Sequence, residues 1–197
     1  NFLAYVALPK RTVRSKLQIR DSHEKERADR CFKWWEKIKR QLRDNVARVY
    51  VPDICIAEAF KVLAKWYYQR GWFATAEAYS QARNRLRKFV STTHTEMAKA
   101  VRLVQVHDVP TDRDIVIAVD RFFDIMFSRR KPLNVEIPDL MLLAVAKYLM
   151  DFYDIPKSYL YIITLDKTLA KLTKKIPELP APIDPTEDRY DVESTFV

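Results

Sequence analysis

The chain predicts an α/β fold: a mostly parallel central sheet flanked by helices, with additional helices around it. Two observations carry that expectation. Short runs rich in β-branched and aromatic residues (VARVYV at 46–51, VRLVQV at 101–106, LYIIT at 160–164) are separated by longer segments of helical periodicity, the alternation that parallel strands with helical crossovers require. The stretch from Ile137 to Asp166 then joins an apolar helical run to a short β-rich run through Asp154-Ile155-Pro156. A chain of 197 residues, 48% hydrophobic and 31% charged, is long enough to bury a substantial core. Residues 1–177 are expected to form a single domain, with its first strand upstream of residue 1, and residues 178–197 an acidic, proline-containing tail.

Taken in order, Asn1 to Leu8 predicts a helix that Asn1 caps and Pro9 closes. Lys10 to Arg20 is basic and irregular. Asp21-Ser22 precedes a long helix to about Asn45, with Cys31, Trp34, Trp35, Ile38 and Leu42 at helical spacing. The paired tryptophans are read as packing residues. The strand at 46–51 leads into a helix begun by Pro52 and Asp53, with Ile56, Phe60, Leu63 and Tyr67 as its core face and Gly71 as its stop. An arginine-rich helix over 73–100, the strand at 101–106 and a helix capped by Thr111 or Asp112 and running through Met126 come next. Pro138 suits a helix start, where its missing N–H costs nothing, and Asp139 beside it faces the positive end of the helix dipole. The strand at 160–164 ends near Asp166, followed by a short helix from Lys167 to about Lys175.

Composition excludes several function classes. Gly71 is the sole glycine, so the glycine-rich loops that wrap nucleotide phosphates are absent. Cys31 and Cys55 are too few for a disulfide framework or a zinc site, and are expected to be reduced core or interface thiols. His23, His94 and His107 form no ligating pair at helical spacing, and no serine has a nucleophile-elbow context. No apolar run approaches the ~18 residues of a membrane span, so no membrane association and a cytoplasmic location are expected. The net charge of +9 is unevenly spread: residues 10–48 hold 14 Lys and Arg against 6 Asp and Glu, whereas residues 178–197 hold one basic residue against 6 acids. A basic body suits a polyanion, nucleic acid being the commonest, although basic residues also keep solvated helices soluble.

Three acids stand alone in apolar neighbourhoods: Glu58, Asp139 and Asp166. If the helix from Ile137 runs down the sheet and the following strand runs back up, Asp139 and Asp166 share the edge outside the carboxyl ends of the strands, where open α/β folds bind ligands. Glu58, two turns into its helix, can reach the same edge with its longer side chain. Carboxylates brought close repel unless a cation lies among them, and hard divalent ions take oxygen ligands. Each acid also has a purely structural explanation: Glu58 as a surface pair with Lys61, Asp139 as a helix-dipole partner, Asp166 as a cap.

The chain resembles the PIN-domain ribonucleases, the family that includes VapC-type toxins. VPDICIAEAF resembles the family's glutamate-bearing helix and maps to Glu58; IPDLMLLAVA resembles its aspartate-led helix and maps to Asp139. IITLDKTLAKL resembles its strand end and maps to Thr164 and Asp166, and Asn1-Phe2-Leu3 resembles the continuation of its first aspartate motif, with Asn1 as third residue. The resemblance implies that this first aspartate, which is not in the sequence, is expected two positions before Asn1. The interval between Asp139 and Asp166 is longer than the family usually has, and the helical segments at 10–45 and 72–100 are additions.

The resemblance implies a PIN-like sheet and a metal-dependent endoribonuclease with Mg²⁺ or Mn²⁺ bound by Glu58, Asp139, Asp166 and the first aspartate that the sequence does not contain. Thr164 and Asn1 would hold ligands or metal-bound water by hydrogen bonds. The expected partners are RNA, with Arg11, Arg14, Arg129 and Arg130 on its backbone, and an antitoxin or other protein, with a homodimer as a further option. A catalytically inactive PIN-like RNA-binding or scaffold protein is the alternative, and a flap-endonuclease-type DNA nuclease a third.

Overall fold

The computed structural model describes residues 2–9, 17–44, 46–90, 106–128 and 135–187. It is α/β, with helices dominating and the strands forming two small parallel sheets of two strands each among the described residues. The described residues divide into two compact units. One takes those up to 51 and from 56 to 108, and the other takes 52–55 and those from 109 to 187.

In the first unit the chain begins with a 3-10 turn, Leu3–Ala7, in place of the expected α-helix. Every residue from Phe2 to Leu8 is buried, and Pro9 forces Leu8 into an extended conformation, so the segment is a short buried plug and not an amphipathic helix. It packs against α1 (Ser22–Arg43) and α3 (Ala76–Val90). Phe2 lies flat on Trp35, rings 4.9 Å apart, and edge-on to Trp34, which makes both tryptophans packing residues as their spacing predicts. Arg85 reaches in from α3 to donate Nε–H to the Ala7 carbonyl at 2.7 Å, and burial lowers its pKa. Asp21 caps α1 by accepting from the His23 N–H at 2.8 Å. Cys31 is buried and Cys55 half-buried, with no disulfide.

The first strand, β1 (Val49–Pro52), starts later than expected, because Val46 and Ala47 donate to the Gln41 carbonyl and prolong the end of α1. β2 (Val106–Val109) lies at the end of the expected third strand, whose residues 101–105 are outside those described. These two strands pair, with Tyr50 and His107 rings 5.4 Å apart. Between them in sequence come α2 (Asp53–Tyr68) and α3. The first of these two helices, α2, is the one that bears Glu58. Its buried stripe is Ala59, Leu63 and Trp66, turned from the expected Ile56, Phe60, Leu63, Tyr67 face. Trp66 sets that rotation by stacking on Trp72 at 4.5 Å and meeting Tyr5 edge-on at 4.9 Å. Gly71, at φ +61, stops the helix where expected.

In the second unit the expected helix through Met126 divides into α4 (Arg113–Ala118), capped by Asp112, and α5 (Asp120–Phe127). The division falls at Val119, whose N–H turns back to the Val116 carbonyl in a tighter i→i−3 bond. Helix α6 (Ile137–Phe152) packs on α4 and buries Leu140, Leu143, Ala144, Val145, Ala146 and Leu149. Pro138 lies in its first turn, one position later than expected. Asp154 adopts φ +51 in the turn that leads to β3 (Tyr161–Ile163), which feeds α7 (Lys167–Thr173).

The chain then returns as β4 (Ala181–Ile183), parallel to β3, with Ile162 opposite Pro182 and Ile163 opposite Ile183. Residues 181–183 therefore belong to a sheet, although composition assigns them to the acidic tail. Pro182 is tolerated because a strand with one neighbour need not donate on its far side. Burial of Ile176, Leu179 and Ile183 ties this β–α–β unit down. Among the described residues no helix is long and apolar enough to cross a membrane.

Candidate functional site

Asp166 is the most sharply positioned of the expected site residues. It follows β3 and caps α7, where Oδ1 accepts the N–H groups of Thr168 at 2.6 Å and Leu169 at 2.9 Å. Its own N–H donates to Thr164 Oγ1 at 3.0 Å, and the Thr164 N–H donates to the Ile183 carbonyl at 3.0 Å, extending the β3–β4 ladder by one bond. Thr164 is buried while Asp166 is exposed, and Oδ2 of Asp166 takes no hydrogen bond among the described residues. Because β3 and β4 are parallel and joined through α7, Asp166 lies at the carboxyl edge of a β–α–β unit, the edge where such units bind ligands.

Asp139 is outside that β–α–β unit, on α6 of the same compact unit. It is the third residue of α6, and its Oδ2 accepts the Glu136 N–H at 3.4 Å, one half of a capping box with Glu136. Glu58 belongs to the first unit, half-buried on α2, with Oε1 accepting from Lys61 Nζ at 2.9 Å. Asp166 thus caps and Glu58 pairs with Lys61 as the sequence allows, whereas Asp139, read as a helix-dipole partner, also completes a capping box. Among the described residues no three His, Cys, Asp or Glu side chains are grouped to hold a metal ion. Asn1 and the arginines at 11, 14, 129 and 130 lie outside the described residues.

Asp184 is an acid that the sequence reading passed over within the tail. It follows β4 directly, and its Oδ1 accepts from the Thr186 N–H at 2.8 Å and hydroxyl at 2.6 Å. Asp184 comes immediately after β4 and Asp166 three residues after the end of β3, so both of these neighbouring parallel strands run out toward an acid. The signal was an apolar triplet ahead of an acid, API before Asp184, too short to separate from loop by pattern.

Comparison of the chain with protein-family models, with curated proteins and with solved structures returned no match.

Proposed function

We propose that the protein is a PIN-like, divalent-metal-dependent endoribonuclease of the cytoplasm, built on a mostly parallel central sheet and serving as the toxin of a toxin–antitoxin pair. The observation that carries this reading is Asp166, at the carboxyl edge of the β3–α7–β4 unit, with one oxygen held by two helix amides and the other without a hydrogen bond among the described residues. Such an oxygen is oriented before any ligand arrives. The carboxylate donors suit a hard cation. By the resemblance alone, Glu58, Asp139 and Asp166 are the candidate ligands of Mg²⁺ or Mn²⁺, which would supply a water nucleophile and neutralise charge on the leaving oxygen. Thr164 fixes the backbone of Asp166 and thereby the direction of its carboxylate. The surplus of positive charge in residues 10–48 draws the RNA backbone.

The test is RNA cleavage by full-length protein in Mg²⁺ or Mn²⁺, arrested by EDTA and abolished by Asp139→Asn without loss of cooperative unfolding. Cleavage that survives Asp139→Asn removes the site. A second reading, a catalytically inactive PIN-like RNA-binding or scaffold protein, is favoured by the structural work that Glu58 and Asp139 already perform. RNA binding without cleavage in any divalent cation selects it.

A further inference from the structure

Away from the carboxylates, the first unit carries an aromatic platform where the end of α2 meets α3. Tyr67 stacks on Tyr79 with ring centres 4.7 Å apart and an interplanar angle of 8°. Tyr68 stands edge-on to both, at 4.7 Å from Tyr67 and 5.9 Å from Tyr79. Phe73, buried, backs Tyr79 at 6.0 Å. Tyr68 is 75% exposed, whereas Tyr67 and Tyr79 are half-buried.

Cations surround these rings. The Arg83 guanidinium lies 5.5 Å over the Tyr79 ring and has no carboxylate partner among the described residues. Lys65 is one turn before Tyr68 on the same side of α2 and has none either, and Arg87 is one turn beyond Arg83. The sole acid of α3, Glu77, is engaged by Gln81 at 3.1 Å.

An exposed ring on a tyrosine pair, with Arg83 over that pair and Lys65 one turn away, matches a ligand that presents flat π-faces at intervals along a polyanionic backbone. We infer that Tyr67, Tyr68 and Tyr79, with Arg83 and Lys65, form a binding platform for single-stranded RNA. A base stacks on Tyr68 and the flanking phosphates meet Arg83 and Lys65. This rests on the reading that the protein acts on RNA, and not on the identity of its metal ligands.

The experiment is fluorescence anisotropy of a labelled oligouridylate with the full chain in EDTA, so that cleavage does not enter. Tyr68→Ala is expected to weaken binding about tenfold and Tyr68→Phe by less than about twofold, since only the former removes the stacking face. Arg83→Gln should weaken binding and flatten its dependence on log salt concentration by about 0.7. Fully paired RNA of equal length should bind several-fold more weakly. Unchanged affinity in Tyr68→Ala, equal binding of the duplex, or no binding by the wild-type chain overturns the platform. A chain that binds in this way yet does not cleave RNA at all, with or without a divalent cation, keeps the platform and loses the nuclease reading, whereas metal-independent cleavage removes the metal mechanism alone. One that cleaves with metal while ignoring Tyr68→Ala loses the platform and keeps the nuclease reading.

Discussion

The backbone N–H of Asp166 donates to Thr164 Oγ1 at 3.0 Å, so the acid at the edge of the second unit is held by a buried threonine two residues before it. Thr164 is bonded in turn to Ile183 on β4, and Asp166 to the first amides of α7. Strand, returning strand and helix therefore meet at Thr164 and Asp166, and the Thr164 hydroxyl links these two residues.

Replacing that hydroxyl tests the junction. Thr164→Val keeps the shape but leaves the Asp166 N–H without its acceptor, which should cost about 1 kcal/mol in urea unfolding, while Thr164→Ser should cost less. Under the ribonuclease reading, the folded Val variant also cleaves more slowly and the Ser variant retains most of the rate. Equal rates in Val and Ser would show that the bond does not orient the carboxylate.

At Asp166, capping and catalysis separate by choice of substitution. Asp166→Ala should lose about 1 kcal/mol of stability, because two amides at the start of α7 lose their acceptor. Asp166→Asn keeps a capping oxygen and should unfold within a few tenths of a kcal/mol of wild type. Both should be inactive in the cleavage assay; an active Asn variant leaves Asp166 with a structural role alone.

Glu58 pairs with Lys61 across one helical turn, on a surface where such pairs contribute little. Glu58→Gln should change stability by less than about 0.5 kcal/mol in a denaturant titration. Loss of cleavage in that stable variant supports ligation by Glu58, and a full rate removes it from the site.

Tyr5 gives a pH dependence. Burial, then the neighbouring Cys31, push its phenol up from 10.0 to about 12. Below pH 10 the phenol is neutral in both folded and unfolded chains, so the favoured neutral form carries no penalty. As pH rises from 10 towards 12 the unfolded chain ionises first, and stability should fall by up to ~1.4 kcal/mol per pH unit. Unfolding measured at pH 9 and pH 11 should differ less in Tyr5→Phe than in wild type.

Gly71 has open space where a Cβ would be, so substitution there meets backbone strain alone. Gly71→Ala should cost about 1 kcal/mol and lower the thermal midpoint by roughly 2–4 °C, with Gly71→Asn milder. An unchanged midpoint would mean that the turn after α2 adopts another conformation.

Capping was the most legible part of the fold. Asp21, Asp112 and Asp166 each announce a helix because an acid side chain and the amides it accepts are within three residues. The rotation of α2 was not legible, since Trp66 is turned inward by Trp72 and by Tyr5 some sixty residues earlier. β4 was hidden for a related reason: three residues beside two prolines become a strand only because β3 offers them a ladder.

The amino-acid order alone determined the α/β class, most helix starts, the helix stop at Gly71 and the candidate acids, all of which depend on neighbours within a turn or two. Tertiary structure decided which face of α2 is buried, that β4 joins β3, and that three tyrosines from two helices form one cluster with Tyr68 exposed. Those outcomes depend on side chains that meet only after the chain has closed large loops, and no local pattern encodes the partner at the far end.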